Sequence, residues 1–343
     1  MKTPSWWNED NILSRVMQPL ACVYGFAGRM RNTSITPQKM TVPVLCVGNV
    51  TAGGTGKTPT VIALAYKWTA MGERPHVISR GYGGSITEMV MVDMTVHTPE
   101  DVGDEPLLIA RAAPCWVGRN RVDSARAAIA RGATVLLMDD GFQNPSLHKD
   151  MSIIVVDGGY GFGNGRLIPA GPLREPIEDG LKRGTAVLVI GKDVHKAAEQ
   201  CDDVPVLHAT LAPKATLPSK DYIAFAGIGR PQKFYDTLEG LGANLVSAHD
   251  FPDHHAYAQG ELDDLLAEAK EKGAALITTE KDAIKISEPY KAQIEVLPVA
   301  LDWGEYNDAV DNMLKTLIEE GGCLLYTSPS PRDQRGSRMP SSA

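Results

Sequence analysis

The stretch "VPVLCVGNVTAGGTGKTPTVIALAY", residues 42–66, limits the architecture more than any other. An apolar run, a loop with three glycines and a helix-forming segment follow one another without a gap. Such a strand–loop–helix unit belongs in a parallel sheet, with the helix crossing back over one face. Gly53, Gly54 and Gly56 let the backbone turn tightly enough for successive N–H groups to converge on phosphate oxygens. Lys57 supplies a point charge for the β- and γ-phosphates, and Thr58 a hydroxyl for Mg²⁺. The strict pattern G-x-x-x-x-G-K-[ST] asks for glycine where this chain has Thr51, but the Gly-Lys-Thr core and its flanking elements are intact. Thr51, Ala52, Gly53, Gly54, Thr55, Gly56, Lys57 and Thr58 are therefore read as a nucleotide-phosphate loop.

The alternation continues beyond it. Strands are expected at 43–49, 75–80, 113–118, 133–140, 151–157 and 185–191, with helices near 57–71, 103–112 and 119–131. The expected fold is α/β, a doubly wound, mostly parallel P-loop sheet whose ligands lie at the carboxyl ends of the strands. Residues 202–221 carry several prolines and no helical period, and read as an extended linker. The rhythm restarts at 222–231, 244–257, 274–282 and 294–301, with a last helix near 305–320. A core domain over 31–205 and a smaller α/β domain with its linker over 206–320 are the simplest division of a 343-residue chain.

"ATVLLMDDGFQ" supplies the metal partner that a phosphate loop needs. Its apolar run reads as a buried strand ending in Asp139 and Asp140, on the sheet edge where the loop also lies. Adjacent carboxylates repel unless a cation separates them, which is the work of a Walker B aspartate on Mg²⁺; an N-cap is the structural alternative for Asp140. Three more clusters fall in turns: "SRGYGG" (79–84), "VGDEP" (102–106) and "FPDHH" (251–255). Asp104, Glu105 and His254 have the right chemistry to orient or deprotonate an acceptor hydroxyl, and Arg80 to hold phosphate, although such clusters are as often turns and caps. The loop "GNGRLIPAGPLREP" (163–176) fits no regular element; its Arg166 and Arg174 suit an anionic acceptor.

A net charge of −8 excludes a chain built chiefly to hold nucleic acid. The five cysteines contain no C-x-x-C pair, so neither a zinc site nor a disulfide framework is indicated, and a reducing compartment is expected. No apolar run reaches the length of a membrane span, and no secretory leader opens the chain. The first thirty residues are nevertheless unusual. Ile12, Leu13, Val16, Met17, Leu20, Val23 and Tyr24 recur at helical spacing, with Trp6 and Trp7 before them and Arg29 and Arg31 after. That pattern suits a helix in a membrane interface, or a helix packed on the core and kinked at Pro19. Residues 321–343, rich in Ser, Pro, Arg and Gly, are expected to be a disordered, non-native extension.

In their order, "VGNVTAGGTGKTP", "SRGYGG", "VGDEP", "DDGFQNPSLHKD", "GRLIPAGPLREP", "FAGIGRPQKF", "FPDHHAY" and "TTEKDAIK" resemble the tetraacyldisaccharide 4′-kinase family of Gram-negative bacteria, over nearly the whole chain to about residue 320. That family's own loop carries Ser or Thr at the position of Thr51. The resemblance implies transfer of the ATP γ-phosphate to the 4′-hydroxyl of an acylated glucosamine disaccharide 1-phosphate lipid, by a peripheral protein on the cytoplasmic face of the inner membrane. It also implies two α/β domains joined by a β-ribbon, with the acceptor between them. By resemblance, residues 51–58 bind ATP, Asp139 and Asp140 serve Mg²⁺ and phosphate, and Asp104 pairs with His254 on the acceptor hydroxyl. Arg80, Glu105, Arg174 and Glu175 would hold phosphate and sugar. Such an acceptor is met only at a bilayer surface, which favours the membrane reading of residues 1–30. A P-loop ATPase switch or a soluble small-molecule kinase would also use the loop and Asp139, but would leave the N-terminal stripe and "GRLIPAGPLREP" unassigned. A GTPase would need an Asn-Lys-x-Asp motif, of which "TEKD" (279–282) is a faint echo.

Overall fold

Residues 4–201 and 203–323 are described by the computed structural model; the tail expected to be non-native lies outside them from residue 324 onward. Among the described residues the strands form two sheets. The larger contains β1 (Val44–Gly48), β2 (Pro75–Ser79), β3 (Val90–Met91), β4 (Cys115–Val117), β5 (Val135–Asp139), β6 (Met151–Asp157), β7 (Ala186–Ile190) and β8 (Val206–Pro213). The smaller contains β9 (Asp221–Ala226), β10 (Asn244–Asp250), β11 (Ala275–Thr279) and β12 (Ile294–Leu297), after which β13 (Val299–Asp302) returns to the larger.

The large sheet runs β13-β8-β7-β6-β1-β5-β2-β4-β3, parallel except for its two outermost pairs. Its central strands are buried along their whole length, as both-face coverage requires. Alternate β1 side chains enter different cores. Leu45 and Val47 meet α3 (Lys57–Ala70) through Leu64 and Trp68, whereas Val44 and Cys46 share the opposite core with Val122 and Ala125 of α6 (Arg121–Ala130). The small sheet runs β10-β9-β11-β12, all parallel, between α8 (Pro231–Gly240) and α9 (Gln259–Lys272).

The segment over 202–221 read as an extended linker contains β8, which first pairs with β7 and then, over residues 210–213, with β13 as an antiparallel ribbon, in keeping with the β-ribbon that the resemblance implies. Two expectations change. The single strand expected over 294–301 breaks at Pro298, because proline has no N–H for a ladder; β12 serves the small sheet and β13 the large one. The last helix, α11 (Asn307–Cys323), belongs with the large sheet, where Val310, Leu314 and Leu317 join Leu64 and Trp68. The small domain is thus an insertion over 221–297, not the whole of 206–320.

At the other end, α1 (Ile12–Val16) and α2 (Gln18–Thr33) meet at Met17, and α2 runs three residues past the expected limit of 30. Pro19 sits in the first turn of α2, where its missing N–H costs nothing, so the kink falls at Met17 instead. Ala21 and Ser14 are buried, while Ile12 (82%), Leu20 (58%), Val23 (67%) and Phe26 (65%) face outward.

Candidate active site

The phosphate loop leaves β1 and enters α3 through Gly56, whose φ of 91° and whose approach to Ile190 exclude a β-carbon; one built there would lie 2.6 Å from Ile190 Cδ1. Gly53 and Gly54 are exposed, whereas Lys57 and Thr58 are buried at the first turn of α3. Thr51 has a structural use: it bridges Leu173, while Ala52 N–H donates to Pro172 O at 2.8 Å and Arg174 N–H to Val50 O at 2.7 Å. The irregular stretch 163–176 is therefore a brace along the outside of the loop.

The same stretch holds the N-terminal segment. The Trp6 and Trp7 indoles donate to Pro169 O, and Asn164 N–H donates to Trp7 O at 2.8 Å. Arg166, expected to meet an anionic acceptor, pairs with Asp10 and donates to Gln18 Oε1 instead; composition alone does not separate a ligand-binding arginine from a docking one. Arg174 does reach the site, with Nη1 2.8 Å from Asp140 Oδ1 and 3.3 Å from Gln143 Oε1. Glu175 is buried, accepts from Gln143 Nε2 at 2.9 Å and pairs with Arg183.

Asp139 and Asp140 have unlike surroundings. Asp139 is 2% exposed; Oδ2 accepts from Ser79 Oγ at 3.0 Å, and Oδ1 has no hydrogen-bond partner among the described residues. Burial, then the Glu105 and Asp140 charges, push its carboxyl up to about 7. Asp140 is also penalised by burial, but Lys57, 3.8 Å away, and Arg174 outweigh that and hold it below the ordinary carboxylate value. Its φ of 45° is rare for a residue with a side chain, and the turn it forms aims the carboxylate at both cations.

A buried carboxylate oxygen with no hydrogen-bond partner among the described residues, Asp139 Oδ1, fits a hard dication. No cluster of three or more His, Cys, Asp or Glu suited to a metal occurs among the described residues, so Mg²⁺ here would share phosphate and water oxygens, as that ion commonly does.

The turns that carry "SRGYGG", "VGDEP" and "FPDHH" converge. Gly103, with φ 91°, packs so closely on Tyr82 O that a β-carbon would lie 2.5 Å from it, and this places Asp104 at the start of α5 (Asp104–Ala110). His254 Nδ1 lies 2.9 and 3.1 Å from the two Asp104 oxygens, and its ring is 5.5 Å from that of Tyr82. His254, with φ 60°, shares with Asp140 the uncommon left-handed backbone. Burial works against the Asp104 charge, but the His254 hydrogen bond with Lys281 and Lys285 overcomes it, leaving the carboxyl below its usual range. Glu105 is 3.6 Å from Lys281 Nζ. Arg80 is exposed at the end of β2 and joins no ion pair among the described residues.

Two contacts bring the domains together over the loop. A β-carbon on Gly229 would be 3.7 Å from Gly54 N, and Asp157 at the end of β6 pairs with Arg230 at 3.2 Å and Lys233 at 2.6 Å. The phosphate-loop residues, Asp139 and Asp140 thus lie on the large domain, and the Asp104–His254 pair joins the two domains. Sequence reasoning missed Gln143, although it lies only three residues after Asp140, and it missed Lys281, Asp253 and Asp157.

A family model described as tetraacyldisaccharide-1-P 4'-kinase matches residues 13–319. The chain belongs to that family. A tetraacyldisaccharide 4'-kinase of Paramagnetospirillum magneticum is 48% identical over 308 residues, 88% of this chain and 95% of the relative. One from Rhodospirillum rubrum is 47% identical over 313 residues, covering 89% and 95%. Among solved structures, LpxK from Aquifex aeolicus in complex with ATP superposes with a TM-score of 0.74 at 25% identity, over 90% of this chain and all of that one. The fold of the tetraacyldisaccharide 4'-kinases is therefore the α/β fold expected from the strand–loop–helix pattern.

Proposed function

We propose that this chain transfers the γ-phosphate of ATP to the 4′-hydroxyl of a tetraacyldisaccharide 1-phosphate, giving the bis-phosphorylated lipid. The observation that carries this is the meeting of two halves in one cleft: phosphate loop, Asp139 and Asp140 on one domain, and an Asp104–His254 pair completed by the other.

In this reading residues 51–58 cradle ATP, and Lys57 meets the β- and γ-phosphates. Thr58 and Asp139 would hold Mg²⁺, which when bound neutralises charge on the phosphate oxygens. Arg174 fixes Asp140 beside Lys57, and Glu175 with Gln143 supports that arrangement. Asp104 and His254 orient and deprotonate the acceptor hydroxyl, while Glu105, Arg80 and the Arg174–Glu175 pair border the space for sugar and phosphate. No helix among the described residues is long and apolar enough to cross a membrane. The outward apolar face of α1 and α2 supports peripheral attachment to the cytoplasmic face of the inner membrane, where the acylated acceptor resides.

The test is product analysis. Purified full chain, γ-labelled ATP, Mg²⁺ and the lipid acceptor should place the label on the disaccharide, with the 4′ position read by mass spectrometry. Label found only as free phosphate would favour an ATPase switch, and label on a water-soluble acceptor a soluble kinase; either would overturn the proposal.

A further inference from the structure

Lys281 sits on α10 (Glu280–Ala283), at the mouth of the cleft. Its Nζ is 3.1 Å from Asp253 Oδ1, 3.3 Å from His254 Nε2, 3.6 Å from Glu105 Oε1 and 4.0 Å from Asp104 Oδ2. The helix that carries it is anchored: buried Asp282 accepts from Gly227 N–H at 3.0 Å and from Lys285 Nζ at 2.7 Å, and Thr279 caps the first turn. We propose that Lys281 is a positioning residue that holds His254 as the Nδ1–H tautomer, so that Asp104 rather than the imidazole receives the acceptor's proton. The proposal rests on the kinase reading above.

An ammonium has three donors and no acceptor. Where it meets an imidazole nitrogen, that nitrogen must be the acceptor, and the ring proton of neutral histidine is then on the other nitrogen. Here the other nitrogen is Nδ1, which faces both oxygens of Asp104. Burial opposes the Lys281 charge, but Glu105, Asp104 and Asp253 together hold it above the ordinary lysine value, so the ammonium persists at any working pH. The other groups facing the ring are Asp253 Oδ2, 3.8 Å from Nε2 and beyond hydrogen-bond reach, and the Tyr82 ring; Lys285 acts on Asp104.

The proton path follows. With Nε2 occupied and Nδ1 already protonated, the imidazole has no lone pair free for the hydroxyl proton. The acceptor O–H bond breaks toward an Asp104 oxygen as the new O–P bond forms. The bond from Pγ to the β,γ-bridging oxygen breaks, and its electron pair leaves with ADP. His254 donates to the carboxylate throughout and keeps it aimed.

The experiment compares the full-length wild type with Lys281→Met and Lys281→Arg, after ¹⁵N-histidine labelling, with His254→Gln used to assign the signal. Long-range ¹H–¹⁵N spectra of the substrate-free protein at neutral pH should show Nδ1–H at His254 in the wild type and in Lys281→Arg. In Lys281→Met they should show mixed tautomers or imidazolium. Turnover of Lys281→Met should fall by about tenfold to a hundredfold, within the range of a weakened acid–base contribution, with KM for ATP within about twofold. Lys281→Arg should recover most of that loss. An unchanged tautomer in Lys281→Met, with or without lost turnover, would overturn the proposal, as would unchanged turnover. A wild type that makes no phosphorylated lipid would sink the kinase reading instead, while the spectra still decide what Lys281 does to the ring.

Discussion

Helices α2 and α3 are nearly equal in length and are carried by the same domain, yet they treat their apolar side chains in opposite ways. In α3, Val61, Leu64 and Trp68 are fully buried against the large sheet. In α2 the small residues face inward, with Ala21 buried and Gly25 so close to Leu167 that a β-carbon would come within 2.6 Å, while Leu20, Val23 and Phe26 face out. One helix satisfies its hydrophobic stripe within the fold. The other leaves its large side chains exposed and lies against the fold through its small ones. Hydrophobic periodicity alone identifies both helices but not the side on which the oil lies.

The comparison can be broken in four places. Lys57→Ala, at the head of α3, should lower turnover by at least about a thousandfold, as loss of a charge-stabilising group in phosphoryl transfer does, with vesicle binding unchanged in a flotation assay. Trp68→Ala should destabilise the protein by roughly 3–5 kcal/mol in denaturant titration, because it opens a cavity under the sheet. The double change Leu20→Glu, Phe26→Glu on α2 should instead leave stability within about 0.5 kcal/mol, as exposed positions usually do. Its vesicle affinity should fall by about a hundredfold, on the order of two apolar side chains no longer buried. If that variant melts early and still floats with vesicles, α2 is a core helix after all. Arg29→Ala removes an exposed pair with Asp179 and should cost about 0.5 kcal/mol or less, detectable as faster proteolysis of the N-terminal segment.

What the sequence made legible was local. The phosphate loop, the Asp139–Asp140 strand end and most large-sheet strands follow from apolar runs, glycines and spacing within a dozen residues. Which sheet a strand joins is not local: "IEVLPVAL" is one apolar run, and only Pro298 betrays that its halves serve different domains. The boundary drawn at residue 206 is misplaced for the same reason, since β8 lies in a proline-containing segment, with Pro205 before it and Pro213 at its end, yet has the pairing of an inner strand. Asp104 and His254 were singled out by type, and the fold brings them to 2.9 Å across 150 positions. Lys281 resembled a faint guanine motif because two of its partners, Asp104 and Glu105, are known only once the domains meet. Arg166 and Arg174 are alike in composition, and their fates differ because one follows Asn164 toward α2 while the other follows Leu173 along the phosphate loop.

The return of β13 and α11 to the large sheet bears on the order in which the molecule is made. Lys214 N–H donates to Pro298 O at 2.9 Å, so the chain enters and leaves the small domain through neighbouring residues. Everything between is synthesised before the large domain receives Leu301, Trp303, Val310, Leu314 and Leu317, the side chains that close its core beside Leu64 and Trp68. A nascent chain therefore carries a finished small domain on an unfinished large one, with an apolar flank open until β13 and α11 have been made. The helix that carries Lys57 thus completes its packing only after the small domain has been made, even though the phosphate loop precedes that domain by more than a hundred residues.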